Sequence, residues 1–359
     1  MKQYYAVGLM SGTSLDGCDA ALCKFTHNDQ EWSFEIIDAK TYNYDNHLQR
    51  QLHILNRGSA EEFAAADAFM AHFFADCVND FLKENKLPIL CIGSHGHTVF
   101  HKPQLGYTTQ IGNGAIIAAG TQQNVVCDFR SMDVALGGQG APLVPVGDAL
   151  LFGDNDACLN LGGIANISYQ QDNTRLAYDI CHVNMVFNYF ARKLGKQYDS
   201  EGLLARDGAL NQSLLEELEL WNFYSMPSPK SLGKETFDSH ILPMIEKYDI
   251  NANDVLHTWA IHASQIISNE ILKMKQESPK ILVTGGGAYN TFFIEKINQM
   301  LTQKLIIPSK EIIEYKEALV FAFLGVLRML GKVNVWHSVT GSAKNHSAGA
   351  VYRATNINQ

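Results

Sequence analysis

The sequence predicts an α/β protein made of two halves with similar architecture, and three observations support this. Strand-like and helix-like segments alternate along the chain, which is typical of α/β folds. A polar, glycine-bearing turn separates two strand-like runs near the N-terminus, and a second such turn lies at Gly162-Gly163. The chain has 359 residues, enough for two domains of ordinary size. We therefore expect an internal duplication with a cleft between its halves.

The first half is predicted to open with three antiparallel strands. These strand-like runs span residues 4–10, 19–26 and 32–44. A long helix is expected over 59–86, because Ser59 is a typical N-cap and apolar residues recur at helical spacing. Residues 88–96 predict a buried strand that runs into a glycine turn. The stretch 133–152 contains several glycines and prolines and predicts a hinge or a loop lining the cleft.

The second half repeats this pattern with different residues. Residues 156–170 predict a strand, a Gly-Gly turn and another strand, and a further strand follows at 174–180. Helices are expected over 184–195 and 254–276, and a strand ending in three glycines over 280–290. The apolar run 318–330 is shorter than the ~18 residues of a membrane span and contains Arg328, so it predicts a buried helix.

Composition excludes several classes of function. The formal net charge is −9, and no local run of Lys and Arg compensates for it, so nucleic acid is not an expected partner. The N-terminus lacks the apolar stretch of a secretory signal, and no segment predicts membrane insertion. Seven cysteines without a Cys-x-x-Cys pair argue against a zinc knuckle or a disulfide framework. The expected location is the reducing cytoplasm.

The stretch GLMSGTSLDGCDAAL, residues 8–22, predicts an anion-binding turn. The chain contains neither a P-loop motif nor a Gly-x-Gly-x-x-Gly after a strand. The glycines within residues 8–22 nevertheless allow backbone N–H groups to approach phosphates, and Ser11, Thr13 and Ser14 add hydroxyl donors. Asp16 and Asp19 supply the oxygen ligands that Mg²⁺ prefers, directly or through water. The alternative is an ordinary hairpin turn with solvated hydroxyls.

Two further glycine motifs are candidates for nucleotide contacts. Gly162 and Gly163 follow Leu-Asn-Leu, and their turn is expected to offer backbone donors to the same phosphates. A simple Gly-Gly hairpin is the alternative. Gly285, Gly286 and Gly287 follow a buried strand and predict an open surface for a flat ring such as adenine. A tight crossing of strand and helix is the competing interpretation.

Histidines and an arginine mark a second group of candidates. His95, His97 and His101 have spacings compatible with zinc, but no nearby carboxylate completes a ligand set. Substrate-facing donors, with His97 and Thr98 as the donors, are the favoured interpretation. Arg130 suits bidentate binding of a carboxylate or a phosphate, and a salt bridge with a neighbouring aspartate is the alternative.

Asp179 is predicted to lie at the end of a strand, just before a turn and a helix. In α/β domains, groups at strand ends face the cleft in which ligands bind. A helix cap is the ordinary alternative for an aspartate in this position.

Taken in order, the motifs resemble those of anhydro-N-acetylmuramic acid kinases over nearly the whole chain, from residue 7 to about residue 352. The matching stretches are GLMSGTSLDGCD, GSHGHTVFH, QIGNGAIIA, DFRSMDVALGGQGAPLVP, LNLGGIANIS, PKSLGKE, VTGGGAYN and EALVFAFLGV. The resemblance implies two ribonuclease-H-like domains of the sugar kinase/Hsp70/actin type with a cleft between them. It places the first over 1–130, completed by 343–359, and the second over 131–342.

The resemblance also implies an activity. Such enzymes use ATP and Mg²⁺ to open 1,6-anhydro-N-acetylmuramic acid with water and to phosphorylate O6, giving N-acetylmuramic acid 6-phosphate in cell-wall recycling. The implied partner is this small amino sugar, with a homodimer left open. The alternatives are a kinase for a different sugar and a nucleotide-binding regulator without transfer activity.

The resemblance also implies roles for individual residues, by their positions in the matching motifs. Asp179 corresponds to the family's catalytic aspartate. The ATP loop corresponds to Gly12, Thr13, Ser14, Leu15, Asp16, Gly17, Cys18 and Asp19. The expected substrate contacts are His97, Thr98, Arg130, Asn184 and Glu317. The sequence departs from the family's Thr-Gly-Pro-Gly-Asn after the aspartate, because it reads Ile-Cys-His-Val-Asn from residue 180. The family's Gly-Gln-Thr is likewise Gly-His-Thr here, so the sugar end of the site is expected to be reshaped.

Overall fold

The structure, a computed structural model, describes residues 1–12, 15–28, 31–228 and 230–354. The chain forms two compact units. Unit 1 comprises Met1–Leu151 together with the chain from Tyr315 onward, and unit 2 comprises Phe152–Glu314. The boundaries therefore lie after Leu151 and Glu314, whereas the sequence placed them after residues 130 and 342.

Each unit contains one mixed β-sheet. In chain order the strands are β1 (Lys2–Ser11), β2 (Gly17–His27), β3 (Trp32–Asn43), β4 (Ile89–Lys102), β5 (Tyr107–Ile111), β6 (Val125–Cys127), β7 (Ala157–Leu161), β8 (Ile164–Gln171), β9 (Thr174–His182), β10 (Ile281–Thr284) and β11 (Ala350–Tyr352). In unit 1 the described strands follow the order β11-β6-β4-β1-β2-β3, and β5 pairs with β4. In unit 2 the order is β10-β7-β8-β9.

Helices cover the sheets. In chain order they are α1 (Asn46–Ile54), α2 (Ala60–Leu82), α3 (Gly114–Thr121), α4 (Ser131–Ala135), α5 (Val144–Leu151), α6 (Asn184–Lys193), α7 (Leu203–Arg206), α8 (Gln212–Glu219), α9 (Lys234–Thr236), α10 (Leu242–Glu246), α11 (Ala252–Leu272), α12 (Thr291–Asn298), α13 (Lys310–Met329) and α14 (His337–Thr340). Helix α2 begins as predicted, because the Ser59 side chain accepts from the Glu62 N–H and Glu62 accepts from the Ser59 N–H. Among the described residues, no helix combines the length and apolarity needed to cross a bilayer.

The two sheets repeat one topology, which confirms the predicted α/β class and internal duplication. In unit 1, β1, β2 and β3 form an antiparallel meander, and β4 runs parallel to β1 on its other side. In unit 2, β7, β8 and β9 form the same meander, and β10 runs parallel to β7. Strand β6 is parallel to β4, and a parallel bridge from Leu282 to Ile306 takes the same place beside β10. This 3-2-1-4-5 order is that of a ribonuclease-H-like core.

Helix α13 shows why the boundaries of unit 1 differ from those expected. Its apolar residues from Ala318 to Leu327 are almost fully buried. A Cβ at Gly8 of β1 would overlap the Ala318 carbonyl, and a Cβ at Gly93 of β4 would overlap the backbone of the same helix. The backbone of α13 therefore packs directly against the backbone of β1 and β4, with no side chain between them at these glycines. Helix α5 joins unit 1 in the same way, because Gly147 lies against the Val320 side chain.

Two local predictions are wrong. The segment 88–96 does not end in a turn: β4 continues through Gly96, which adopts φ +75°, because the next residues pair with β5. The segment 133–152 is not a loop throughout, since it contains the end of α4 and the whole of α5. Pro145 lies at the second position of α5, where a missing N–H leaves no helical hydrogen bond unmade.

Candidate active site

The polar turn in unit 1 joins β1 to β2. Thr13 and Ser14 lie outside the described residues. Leu15 adopts φ 60°, and its N–H lies 3.4 Å from the Gly12 carbonyl oxygen. Asp16 follows at the surface. The described part of the turn is a compact backbone loop with a carboxylate beside it, an arrangement that suits an anion accompanied by a cation.

Not every residue of the predicted loop presents a side chain to a ligand. Gly17 is buried because its Cα lies against the Tyr42 carbonyl, where a Cβ would not fit. The Cys18 thiol is fully buried in the core of unit 1. Asp19 is half-buried, and its Oδ1 accepts a hydrogen bond of 2.6 Å from the Thr41 hydroxyl. Gly17 and Cys18 therefore shape the hairpin, whereas Asp19 adds an oriented carboxylate.

Asp16 and Asp19 fit a magnesium ion better than a transition metal. The described residues contain no group of three or more His, Cys, Asp and Glu side chains arranged to hold a metal. Mg²⁺ does not need such a group, because it is bound through one or two carboxylates, water and substrate phosphates. The oxygen-only donor set of this hairpin matches that preference.

His97 lies within β4, in a buried hydrogen-bonded chain beside the last residue of β1, Ser11. The Tyr44 hydroxyl donates to Ser11 Oγ at 2.6 Å, and Ser11 Oγ lies 3.0 Å from His97 Nδ1. Burial lowers the pKa of His97 to about 4, so its imidazole is neutral at physiological pH. With Ser11 donating to Nδ1, the Nε2–H is a donor. His97, Thr98 and Leu15 line one cavity of about 160 Å³, which brings two predicted substrate contacts and the phosphate turn together.

The described residues give no support to the zinc alternative, because they contain no group of three side chains arranged to hold a metal, and the three histidines have separate partners. His95 Nδ1 lies 2.8 Å from the Gly96 carbonyl oxygen, and its Nε2 accepts from Arg130. His101 Nδ1 lies 3.0 Å from the Thr108 hydroxyl. Burial and the Arg130 charge hold the pKa of His95 well below its usual value, as expected for an imidazole that accepts from a guanidinium.

Arg130 is fixed by neutral acceptors. It donates through Nη1 to the Gly140 carbonyl at 2.7 Å and through Nε and Nη2 to His95. Within the described chain it forms no ion pair with an aspartate, and Asp133 instead accepts from the Gly140 N–H at 2.7 Å. Burial lowers the pKa of Arg130 to about 10, with Glu317 acting in the opposite direction, so the side chain remains a cation.

Glu317 lies on α13 within the electrostatic reach of Arg130. Its side chain is accessible to water, yet desolvation by the surrounding protein raises the pKa of its carboxyl. Lys316 and Arg130 oppose that increase, and Asp148 adds to it. Unit 1 therefore brings a neutral histidine, a fixed cation and a carboxylate of raised pKa onto adjoining elements.

In unit 2 the β7–β8 turn meets the start of α6. The Gly162 carbonyl accepts from the Asn184 N–H at 3.1 Å, and the Gly163 carbonyl accepts from the Val183 N–H at 2.8 Å. The Asn184 side chain donates to the Leu161 carbonyl at 3.0 Å. The structure thus places Asn184, a predicted substrate contact, at the glycine hairpin.

The three glycines after β10 have different roles. Gly285 adopts φ +80°, and a Cβ there would overlap the Asn160 side chain and the Leu161 backbone. A Cβ at Gly287 would also overlap Leu161. At Gly286 the nearest atom to a Cβ, the Asn184 amide nitrogen, is 3.5 Å away. Tight packing therefore explains Gly285 and Gly287, whereas Gly286 is sterically free to face a ligand.

Replacement of Gly285 by alanine should destabilise unit 2. The new Cβ adds an overlap to an unfavourable φ, so we expect a loss of about 2 kcal/mol or more in the free energy of unfolding. Gly195→Ala is the matched control, because Gly195 has φ +72° but open space around it. Urea denaturation measures both. Equal losses for the two variants would contradict the packing role of Gly285.

Asp179 lies within β9, opposite Asn166 of β8, and is half-buried. Its N–H donates to the Lys230 carbonyl at 3.0 Å, and its Oδ2 accepts from the Leu232 N–H at 2.8 Å. Burial raises the pKa of the carboxyl to about 6, and the Leu232 N–H opposes this increase. The helix-cap alternative is wrong, because β9 runs on to His182 and the N-cap residue of α6 is Val183. A carboxyl with this pKa can accept a proton near neutral pH.

Sequence reasoning missed the residues that hold Asp179. Lys230 and Leu232 belong to the stretch PKSLGKE, whose sequence does not indicate a contact with Asp179. Glu270 on α11 contacts Lys230, whereas the sequence pattern around it indicates only an amphipathic helix. Its position beside the apolar residues Ile267 and Ile271 was the available signal, because a buried glutamate requires a partner.

Comparison with known proteins agrees with the motif resemblance. The sequence model of the anhydro-N-acetylmuramic acid kinase family matches residues 3–354. A relative of that name from Vibrio cholerae is 34% identical, over 96% of this chain and 97% of its own length. Another from Vibrio vulnificus is 35% identical, over 98% of each chain. One from a Sulfurovum species is 34% identical, over 98% of this chain and 99% of its own. This chain belongs to the anhydro-N-acetylmuramic acid kinase family.

Proposed function

We propose that this protein is an ATP-dependent kinase that hydrolyses the anhydro ring of 1,6-anhydro-N-acetylmuramic acid and phosphorylates O6. The products are N-acetylmuramic acid 6-phosphate and ADP. The observation that carries the proposal is Asp179: its carboxylate is held by a backbone N–H, and its pKa of about 6 suits a general base. Family membership supplies the substrate class.

In the proposed reaction, Asp179 activates water as a general base. Water attacks C1 of the sugar while the carboxylate accepts one of its protons, and the remaining hydroxyl stays on C1. The C1–O6 bond breaks, and its electron pair remains on O6. O6 then attacks the γ-phosphorus of ATP, the bond to the β,γ-bridging oxygen breaks, and ADP leaves. The proton on Asp179 returns to solvent, so the carboxylate is regenerated.

The phosphate turn and the glycine hairpins are assigned to the nucleotide. Backbone N–H groups between Gly12 and Asp19 would bind the phosphates, and Gly162, Gly163 and Gly286 leave room for close approach. Asp16 and Asp19 would hold Mg²⁺, which supplies charge neutralisation on the transferred phosphoryl group. Such electrostatic stabilisation is commonly the largest contribution to a phosphoryl transfer.

The substrate's polar groups are assigned to unit 1. His97 would donate through Nε2, and Thr98 lines the same cavity. The fixed guanidinium of Arg130 suits the carboxylate of the sugar's lactyl group. Glu317, on the neighbouring helix, would accept from a hydroxyl or amide. Asn184 is better placed to order the glycine hairpin than to bind the sugar, because Leu161 accepts from its amide group.

We place this activity in cell-wall recycling in the cytoplasm, where ATP is present. All seven cysteines lie in the described part of the chain and are buried thiols, which suits a reducing compartment.

The proposal is tested by product analysis. The protein is incubated with ATP, Mg²⁺ and 1,6-anhydro-N-acetylmuramic acid, and mass spectrometry is expected to find the 6-phosphate with one ADP per product. A panel of other sugars tests the alternative kinase, since the residues after Asp179 depart from the family pattern. ATP binding without any phosphorylated acceptor would contradict the kinase and favour a regulator.

A further inference from the structure

We propose that Lys230 is a positioning residue: its buried ammonium group holds the segment 230–233 so that the Leu232 N–H orients the carboxylate of Asp179. This inference rests on the proposed function and deepens it. The segment meets Asp179 twice. The Lys230 carbonyl accepts from the Asp179 N–H at 3.0 Å, and the Leu232 N–H donates to Oδ2 at 2.8 Å.

The Lys230 side chain is only 2% exposed, so its charge requires compensation inside the protein. Its Nζ lies 3.3 Å from the carbonyl oxygens of both Phe223 and Tyr224 and 3.6 Å from Glu270 Oε1. Three acceptors therefore converge on the ammonium group. Burying a charged side chain for packing alone is unfavourable, since an apolar side chain would fill the same space at lower cost.

Glu270 fixes the ammonium group to the core of unit 2. Its side chain is 6% exposed, and its Oε2 accepts from the Tyr178 hydroxyl at 3.0 Å. Tyr178 directly precedes Asp179 in β9. Glu270 thus contacts both the strand that carries the base and the segment that holds the base. Lys273 also contacts Glu270, at 2.7 Å, so Glu270 keeps one cationic partner if Lys230 is replaced.

The other end of the segment is held by a residue that departs from the family pattern. His182 Nε2 lies 3.2 Å from the Gly233 carbonyl oxygen and 3.1 Å from the Thr236 hydroxyl. His182 is fully buried and stacks on Trp221. In this chain an imidazole therefore ties β9 to Gly233, while Lys230 ties the opposite end to α11. The Leu232 N–H lies between these two attachments.

This arrangement has a chemical consequence for the base. The Leu232 N–H holds Oδ2, and among the described residues no protein donor contacts Oδ1, which leaves that oxygen for water. A hydrogen bond to the ionised form lowers the pKa of a carboxyl, so it also keeps Asp179 ionised at lower pH. The ionisable side chains around the segment are Tyr178, Cys181 and His182 on β9, Lys230 in the segment itself, Glu235 just after it, and Glu270 and Lys273 on α11.

The test is Lys230→Met, which keeps the length of the side chain and removes its charge. We expect kcat to fall at least about tenfold, because the base loses its orientation, with the KM for ATP within twofold of wild type. We also expect the acidic limb of the kcat profile to move to higher pH by about one unit, because loss of the Leu232 hydrogen bond raises the pKa of Asp179. A purely structural role would not move this limb.

Lys193→Met is the matched control, since Lys193 forms an exposed ion pair with Glu246 in the same unit. It should match wild type in kcat and in pH profile. If Lys230→Met does not fold, the double variant Lys230→Met/Glu270→Gln removes both buried charges, and the same results are expected of it. An unshifted acidic limb in the folded variant would overturn the inference alone. Wild-type protein without turnover would instead overturn the proposed function, and the inference with it.

Discussion

Asp179→Asn should retain ATP affinity and lose at least ~100-fold in turnover, the lower end of what general base catalysis contributes. The amide has nearly the size of the carboxyl, and its oxygen can still accept from the Leu232 N–H, so the local structure should persist. What it cannot do is accept a proton from water. The measurement is kcat at saturating ATP and sugar, together with the dissociation constant for ATP from calorimetry.

Stability provides an internal check on this variant. The pKa of Asp179 in the folded protein, about 6, exceeds the ~3.9 of an unfolded aspartate. Ionisation of Asp179 therefore lowers the free energy of unfolding. This destabilisation is complete well above pH 6 and disappears below about pH 4. Asp179→Asn should be more stable than wild type at pH 7.5, by on the order of 2 kcal/mol, and equally stable near pH 4.

Asp172→Asn is the control for the same chemical change. Asp172 is exposed at the β8–β9 turn, where it pairs with Lys275, and no catalytic role is assigned to it. It should leave kcat unchanged. Turnover of Asp179→Asn within a few fold of wild type would show that another group accepts the proton.

The second large effect is the pH dependence of turnover. Asp179 accepts a proton only when ionised, so kcat should be constant above its pKa of about 6. Below that value kcat should fall about tenfold per pH unit, as the ionised fraction falls. His97 adds no change in this window, because burial lowers its pKa to about 4 and it stays neutral down to that pH.

The nucleotide provides the necessary control, since a phosphate group also titrates near neutrality. ATP affinity measured over the same pH range should not share the midpoint of kcat. A rate that stays constant from pH 7.5 to pH 5 would show that no carboxyl of raised pKa acts in the rate-limiting step.

Local signals in the sequence were sufficient for much of the fold. The meander β1–β3 follows from three neighbouring strand-like runs, and the start of α2 follows from its Ser59 cap. Predictions failed where distant residues decide the structure. Strand β4 continues past Gly96 because β5 pairs with it, and Gly147 lies in helix α5, where the distant Val320 side chain leaves no room for a Cβ.

The same limit applies to the candidate site. The position of Asp179 near the end of a strand makes it a candidate, and the family resemblance is what implies its catalytic role. Its environment was not predictable, because Lys230 and Glu270 are far apart in sequence and meet only in the folded chain. The different packing of Gly285, Gly286 and Gly287 also depends on contacts with Leu161 and Asn184, which no local sequence pattern encodes.

The most direct test of water activation by Asp179 is a single-turnover reaction in H₂¹⁸O, quenched before the anomeric oxygen exchanges with solvent. Mass spectrometry of the sugar phosphate should find one ¹⁸O atom on C1 and none in the phosphate group, and Asp179→Asn should form this labelled product at least ~100-fold more slowly. Unlabelled sugar phosphate, or labelled product formed by the variant at the wild-type rate, would contradict the account.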